Sequence, residues 1–177
     1  MKIETAEARP KMGATGRQTQ LVLRIRVLLG IFIIGLVVSG ATAIPLETEL
    51  AFLSRWSGAE SGFGGWLVRI HDALVETNAK YPFIAYGTDW LAFAHFVIGI
   101  AFIGPLRDPV KNVWVIEFGM IACALIVPFA LGMGAVRGIP LGWRLIDCSF
   151  GVLGIIPLWM CRKYVRELGR LTVAAKG

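Results

Sequence analysis

Asp89, His95, Arg144 and Asp147 are ionisable side chains that stand within apolar runs of this chain. At membrane depth such a group costs about 2.5–3.5 kcal/mol even on the lenient insertion scale, so it is expected to face protein and to pair. Asp89 precedes Ile103 by 14 residues, and Asp147 precedes Cys161 by the same 14. In straight helices both carboxylates would then lie about 21 Å above a common edge. Arg144 shares a helix face with Asp147 and Cys148 through i,i+3 and i,i+4 spacing. One guanidinium neutralises one carboxylate, so the other would be protonated or would bind a cation or a ligand amine. The plainer alternative is an Arg144–Asp147 pair that locks its helix, with Asp89 capping a helix start after Gly87-Thr88.

His95 falls near the middle of its apolar run, where a histidine could ligate haem, sit in a proton path or hydrogen-bond a quinone. Gly99, one turn on, and the nearby Ala92 and Ala94 would admit a neighbouring helix or a flat ring. The alternative is a neutral histidine making one bond between helices. His71, the second of two histidines, has Arg69 and Asp72 beside it and is not expected at that depth. A histidine pair would then need a second copy of the chain. Tyr86, Trp90, Phe93, Phe96 and Trp143 supply aromatic surface for a pocket wall. No cofactor is named by these residues.

The elements that must position these groups follow from composition. The 177 residues are 56% hydrophobic and 17% charged, with a mean hydropathy of +0.67. Soluble domains carry about 25% charged residues, so an integral membrane protein is expected. Apolar runs cover 27–45, 81–103, 113–131 and 141–161, each close to the roughly 20 residues a spanning helix needs. The second run must recruit residues 81–86, because 90–103 alone would reach only about 21 Å. Gly/Pro turns at 105–109 and 132–140 are short and force antiparallel neighbours. The fold class expected is an all-α, four-transmembrane-helix antiparallel bundle.

Residues 46–80 are too polar to span and read as an amphipathic helical segment outside the bundle. Leu46, Leu50 and Leu53 alternate with acids in one piece, and Trp66, Leu67, Ile70 and Leu74 recur at helical spacing in the other. Trp56 and Trp66 would sit at headgroup level. Residues 1–20 read as a flexible basic cytoplasmic arm able to touch anionic lipid. Residues 21–177 form one transmembrane domain.

The net charge is +6, yet the basic residues gather at the ends of apolar runs, which points to topology and away from nucleic acid. Thirteen lysines and arginines fall on one side, in the N-terminal segment, the 105–112 turn and the C-terminal tail; five fall on the other. The positive-inside rule puts both termini in the cytoplasm, and a bacterial inner membrane is the expected site. Ala41-Thr42-Ala43 resembles a signal-peptidase site, but the long basic region before it favours a retained anchor. Glu117 is expected to pair with a basic residue at the inner edge, its alternative role being proton uptake. Pro128 is expected to kink the third span.

The three cysteines form no pair motif and read as buried thiols. Phosphate-loop, zinc-protease, nucleophile-elbow and c-type haem motifs are absent. The four-span layout with intramembrane acids resembles sterol-isomerase-like and sigma-2-receptor-like proteins in architecture alone, and it implies no residue role here. Three functions are open. One is a membrane protein binding a lipid-like or amphipathic ligand in an outward-facing pocket between spans two and four, with Tyr86, Trp90 and Trp143 as wall and Asp89, Asp147 and Arg144 as polar end. Another is a membrane enzyme or redox subunit using His95 with Asp89 or Asp147. The third is a structural subunit, with membrane lipid and either a second copy or a larger complex as partner.

Overall fold

The computed structural model describes residues 14–57 and 62–174. Lys2, Arg9, Lys11 and Lys176, and the stretch 58–61, lie outside the described residues. Within them the chain is helical and has no strand: α1 (Ala14–Thr42), α2 (Leu46–Ser57), α3 (Gly62–Lys80), a 3-10 turn (Pro82–Ala85), α4 (Tyr86–Ala101), α5 (Ile103–Arg107), α6 (Val113–Val136) and α7 (Leu141–Ala174). Four helical stretches are long and apolar enough to cross a membrane: Gly16–Thr42, Pro82–Arg107, Val113–Val136 and Leu141–Ala174.

All four stretches run past the expected limits, the second to Arg107 and α6 to Val136, into the expected turns; in the two that extend furthest, α1 and α7, the cause is the same. α1 begins at Ala14, so residues 14–20 are helical where a flexible arm was expected. α7 continues beyond Arg162 and Lys163 to Ala174. In each extension the apolar stripe persists through the charges: Leu21 and Ile25 on α1, and Val165 and Leu168 on α7, are all buried. Arg24, Lys163 and Arg166 are exposed and lie off that stripe. Arg17 of α1 then reaches Glu167 of α7, with Nη2 at 2.5 Å from Oε1.

The core lies at the end of the molecule that carries these charges. Ile25, Leu29, Phe102, Ile116, Leu158 and Cys161 are fully enclosed there. Phe102 sits between α4 and α5, and its ring tip fills the space a Cβ at Gly119 would take, 2.6 Å away. On the α6–α7 seam, Gly151 lies directly against the carbonyl of Cys123, and Gly154 faces the Cys123 sulfur. Small residues thus let two helix backbones close on each other. Glu117 accepts from Arg162 Nε at 2.7 Å, tying α6 to α7. All three cysteines are free and buried.

Packing proceeds as a chain of neighbours: α4 on α1, α1 on α7, and α7 on α6. α4 and α7 are not among the closely packed pairs. α2 and α3 lie on each other, with Leu50 and Leu67 buried and Asn78 donating to Glu47 at 2.8 Å. Trp56 is 80% exposed, whereas the Trp66 ring N–H is enclosed. α6 ends in a Schellman turn: Ile139 N–H donates to Gly134 O at 2.8 Å and Gly138 N–H to Ala135 O at 3.2 Å. Gly138, at φ +67°, is the only described residue in the left-handed region, where a Cβ is strained.

Candidate functional site

The residues singled out by the sequence divide into three places. The first is the start of α4. Tyr86, Asp89, Trp90 and Phe93 line a shallow recess of about 240 Å³, built by i,i+3 and i,i+4 spacing on one helix. The three rings meet edge to face, Tyr86 on Trp90 at 5.9 Å and Trp90 on Phe93 at 5.4 Å between centroids. The quadrupoles favour this arrangement, and all three side chains remain exposed. Asp89 is exposed and has no ion-pair or hydrogen-bond partner among the described residues. It does not cap α4: the helix start carries no side-chain cap, and Thr88 bonds back to Ala85 O at 2.7 Å instead.

His95 occupies the second place, on the α4 face turned to α1. It is half-buried, and Nδ1 lies 2.8 Å from the carbonyl of Leu91 one turn back. A carbonyl only accepts, so Nδ1 carries the proton and Nε2 presents a lone pair. The bond expected between helices is therefore a bond within α4. What joins the helices here is Gly40, buried on α1, where a Cβ would stand 2.8 Å from His95 Cβ and 3.0 Å from Ala92 O. Gly99 also faces α1, toward Val37 and Ile33. Gly40 is visible in the sequence only as a glycine inside an apolar span.

The third place is the turn from α6 to α7. Arg144 lays its aliphatic stem over Gly134, and Nη1 donates to Leu131 O at 3.4 Å. Its charge thus lies toward the C-terminal, negative end of α6. Its Nε is enclosed with no hydrogen-bond partner. Asp147 is half-buried, and no ion pair links it to Arg144 among the described residues. Trp143 stacks on Phe63 of α3, with centroids 5.8 Å apart. Neither an Arg144–Asp147 lock nor a hydrogen-bonded set of Asp89, Arg144 and Asp147 is formed. The reason is geometric: the Arg144 stem crosses Gly134, which carries the guanidinium toward α6 and away from Asp147.

Among the described residues no three His, Cys, Asp or Glu side chains converge as metal ligands. His71 lies on α3 beside Asp72, at 3.2 Å. Comparison with protein families, with curated proteins and with solved structures finds no match for this chain. Function rests on these residues alone.

Proposed function

We propose that this chain is an integral membrane protein whose four spans form an antiparallel bundle, with both termini on the cytoplasmic side of a bacterial inner membrane. The cationic groups support that topology. Arg17, Arg24 and Arg26 of α1, Arg107 and Lys111 of the turn, and Lys163, Arg166 and Arg170 of α7 gather at one end of the molecule. Retention in membranes through alkaline carbonate extraction tests the insertion; release into the supernatant would contradict it.

Its activity, in this reading, is to bind a lipid-like or amphipathic molecule on the outward half of span two. The observation that carries the proposal is the apolar recess at the start of α4, lined by three aromatic rings together with Asp89, whose carboxylate is exposed and unpaired among the described residues. A carboxylate at membrane depth gains most from a cation, and no protein cation supplies one to Asp89 among the described residues. Ring faces attract organic cations by about 0.5–2 kcal/mol each. A ligand with an ammonium head and an apolar tail satisfies both features, its tail lying along the exposed Val97 and Ile100 further down α4. The polar end rests on Asp89 alone, with Arg144, Asp147 and Trp143 outside it. Thermal stabilisation in maltoside micelles by a long-chain trimethylammonium amphiphile, present in the wild type and lost in Asp89→Asn, is the expected result. Equal stabilisation of both would contradict it.

A second reading is favoured by one observation, the lone pair on His95 Nε2. The Nδ1 bond to Leu91 O orients the ring as metal-ligating histidines are oriented by their other nitrogen. A redox or ligating role predicts an absorption band that shifts on dithionite reduction of protein purified from native membranes. A colourless preparation removes haem and flavin from consideration.

A further inference from the structure

At the opposite end from the Asp89 recess lies a larger groove, of about 810 Å³, between the start of α1, the turn after α5 and the last third of α7. Its cations are Arg26, Arg107 and Lys111, and its one acid is Asp108. Asp108 is engaged locally, because Oδ1 accepts from the backbone N–H of Lys111 at 3.0 Å. Arg26 is held by the chain itself, with Nε donating to Leu106 O at 3.3 Å, which leaves its two terminal nitrogens for an outside acceptor. None of the three cations has an ion-pair partner among the described residues.

The floor of the groove is apolar, made by Val22, Leu23, Val110 and Leu168. From Leu23 an exposed apolar stripe continues along α1 through Val27, Ile31, Ile34 and Val38. These positions repeat every three or four residues, so they lie on one face. A cluster of three cations at one end of a long apolar track matches a single chemistry: a phosphate ester joined to an acyl chain.

We propose that this groove is a binding site for an anionic phospholipid, with the phosphate held by Arg26, Arg107 and Lys111 and one acyl chain laid along the Leu23–Val38 face of α1. Guanidinium groups bind phosphate in bidentate fashion, and lysine adds a point charge. Basic pockets between spanning helices at the cytoplasmic face recognise lipid headgroups in this way. The site rests on the membrane topology proposed above and not on the Asp89 recess, and the two are read with lipids of opposite charge. It also gives the 105–112 turn a task beyond reversing the chain, since Arg107 and Lys111 flank Pro109 on one side of the groove.

The test uses the full chain carrying Asp89→Asn, so that the α4 recess cannot hold a choline head, in maltoside micelles, titrated with dioleoylphosphatidylglycerol, dioleoylphosphatidylcholine or inorganic phosphate, with bound lipid read by native mass spectrometry. Phosphatidylglycerol should bind at least fivefold more tightly than phosphatidylcholine, and each cation removed should weaken it about fivefold. Lys111→Gln and Arg107→Gln are the informative variants, because both side chains are exposed and their loss leaves the core untouched. Arg137→Gln, at the α6–α7 turn, should leave phosphatidylglycerol binding unchanged. Raising the salt should weaken phosphatidylglycerol and not phosphatidylcholine. Equal binding of the two lipids, or a preference that survives in Lys111→Gln and Arg107→Gln alike, would overturn the site. Displacement of the lipid by millimolar inorganic phosphate would assign the groove to free phosphate and overturn the acyl-chain contact.

Discussion

Arg144 lies over Gly134 of the preceding helix and not beside Asp147, its neighbour one turn along α7. Its guanidinium turns to the C-terminal part of α6, and the charge pair that joins α6 to α7 is Glu117 with Arg162, at the other end of the two helices. The pairs can be separated by double-mutant cycles in detergent. Glu117 and Arg162 are 42% and 31% exposed, so solvent screens them and a coupling of about 0.5–1 kcal/mol is expected. Arg144 and Asp147 should couple by less than about 0.3 kcal/mol. A coupling above about 1 kcal/mol between Arg144 and Asp147 would restore the lock that the geometry denies.

The α6–α7 seam predicts opposite outcomes for chemically identical changes. A methyl group at Gly151 meets the Cys123 carbonyl, with Ile126 Cβ at 3.1 Å, and backbone cannot step aside as a side chain can. Gly151→Ala should cost about 1–3 kcal/mol by overpacking. At Gly30 a Cβ meets nothing within 4 Å, so Gly30→Ala should be neutral or should stabilise by up to about 1 kcal/mol through helix propensity. Denaturant titration of the two variants checks the order, and equal effects would contradict the seam.

His95 should be the Nδ1–H tautomer, because its partner at 2.8 Å is a carbonyl. Nitrogen-15 NMR of histidine-labelled protein reads this directly: in the neutral ring a protonated Nδ1 and a bare Nε2 are expected. The reverse assignment would remove the Nδ1–H···O bond and the case for Nε2 as a ligand. Gly40→Val should broaden or shift the same signals, since the α1–α4 approach at His95 leaves no room for a larger side chain.

Much of the fold can be read in the chain before its structure. The apolar runs locate the four long helices, and Leu50 and Leu67 fall on the faces their spacing implies. The ends were harder, because a charged residue reads as a boundary even when, like Arg24 or Arg166, it points off a helix whose other face stays apolar. The site was legible only where it is local. Tyr86, Asp89, Trp90 and Phe93 come together because one helix spaces them. Arg144, Asp147 and Trp143 did not join them, since that required knowing that α1 packs against both α4 and α7 and that the Arg144 stem crosses Gly134 of α6. Depth counted from the helix ends gives a level, not a direction. Two residues at one level can face different neighbours.

The recess at Asp89 is the central claim, and equilibrium binding tests it most directly. The measurement is the Kd of a long-chain trimethylammonium amphiphile in maltoside micelles, for the wild type, Asp89→Asn and Trp90→Ala, against an alkyl sulfate of equal length. Asp89 is exposed, so its amide variant keeps the fold. The account predicts that the cation binds the wild type at least tenfold more tightly than the sulfate, a difference of about 1.4 kcal/mol, and that both substitutions erase most of that preference. A cation preference unchanged in Asp89→Asn, or none in the wild type, would contradict it.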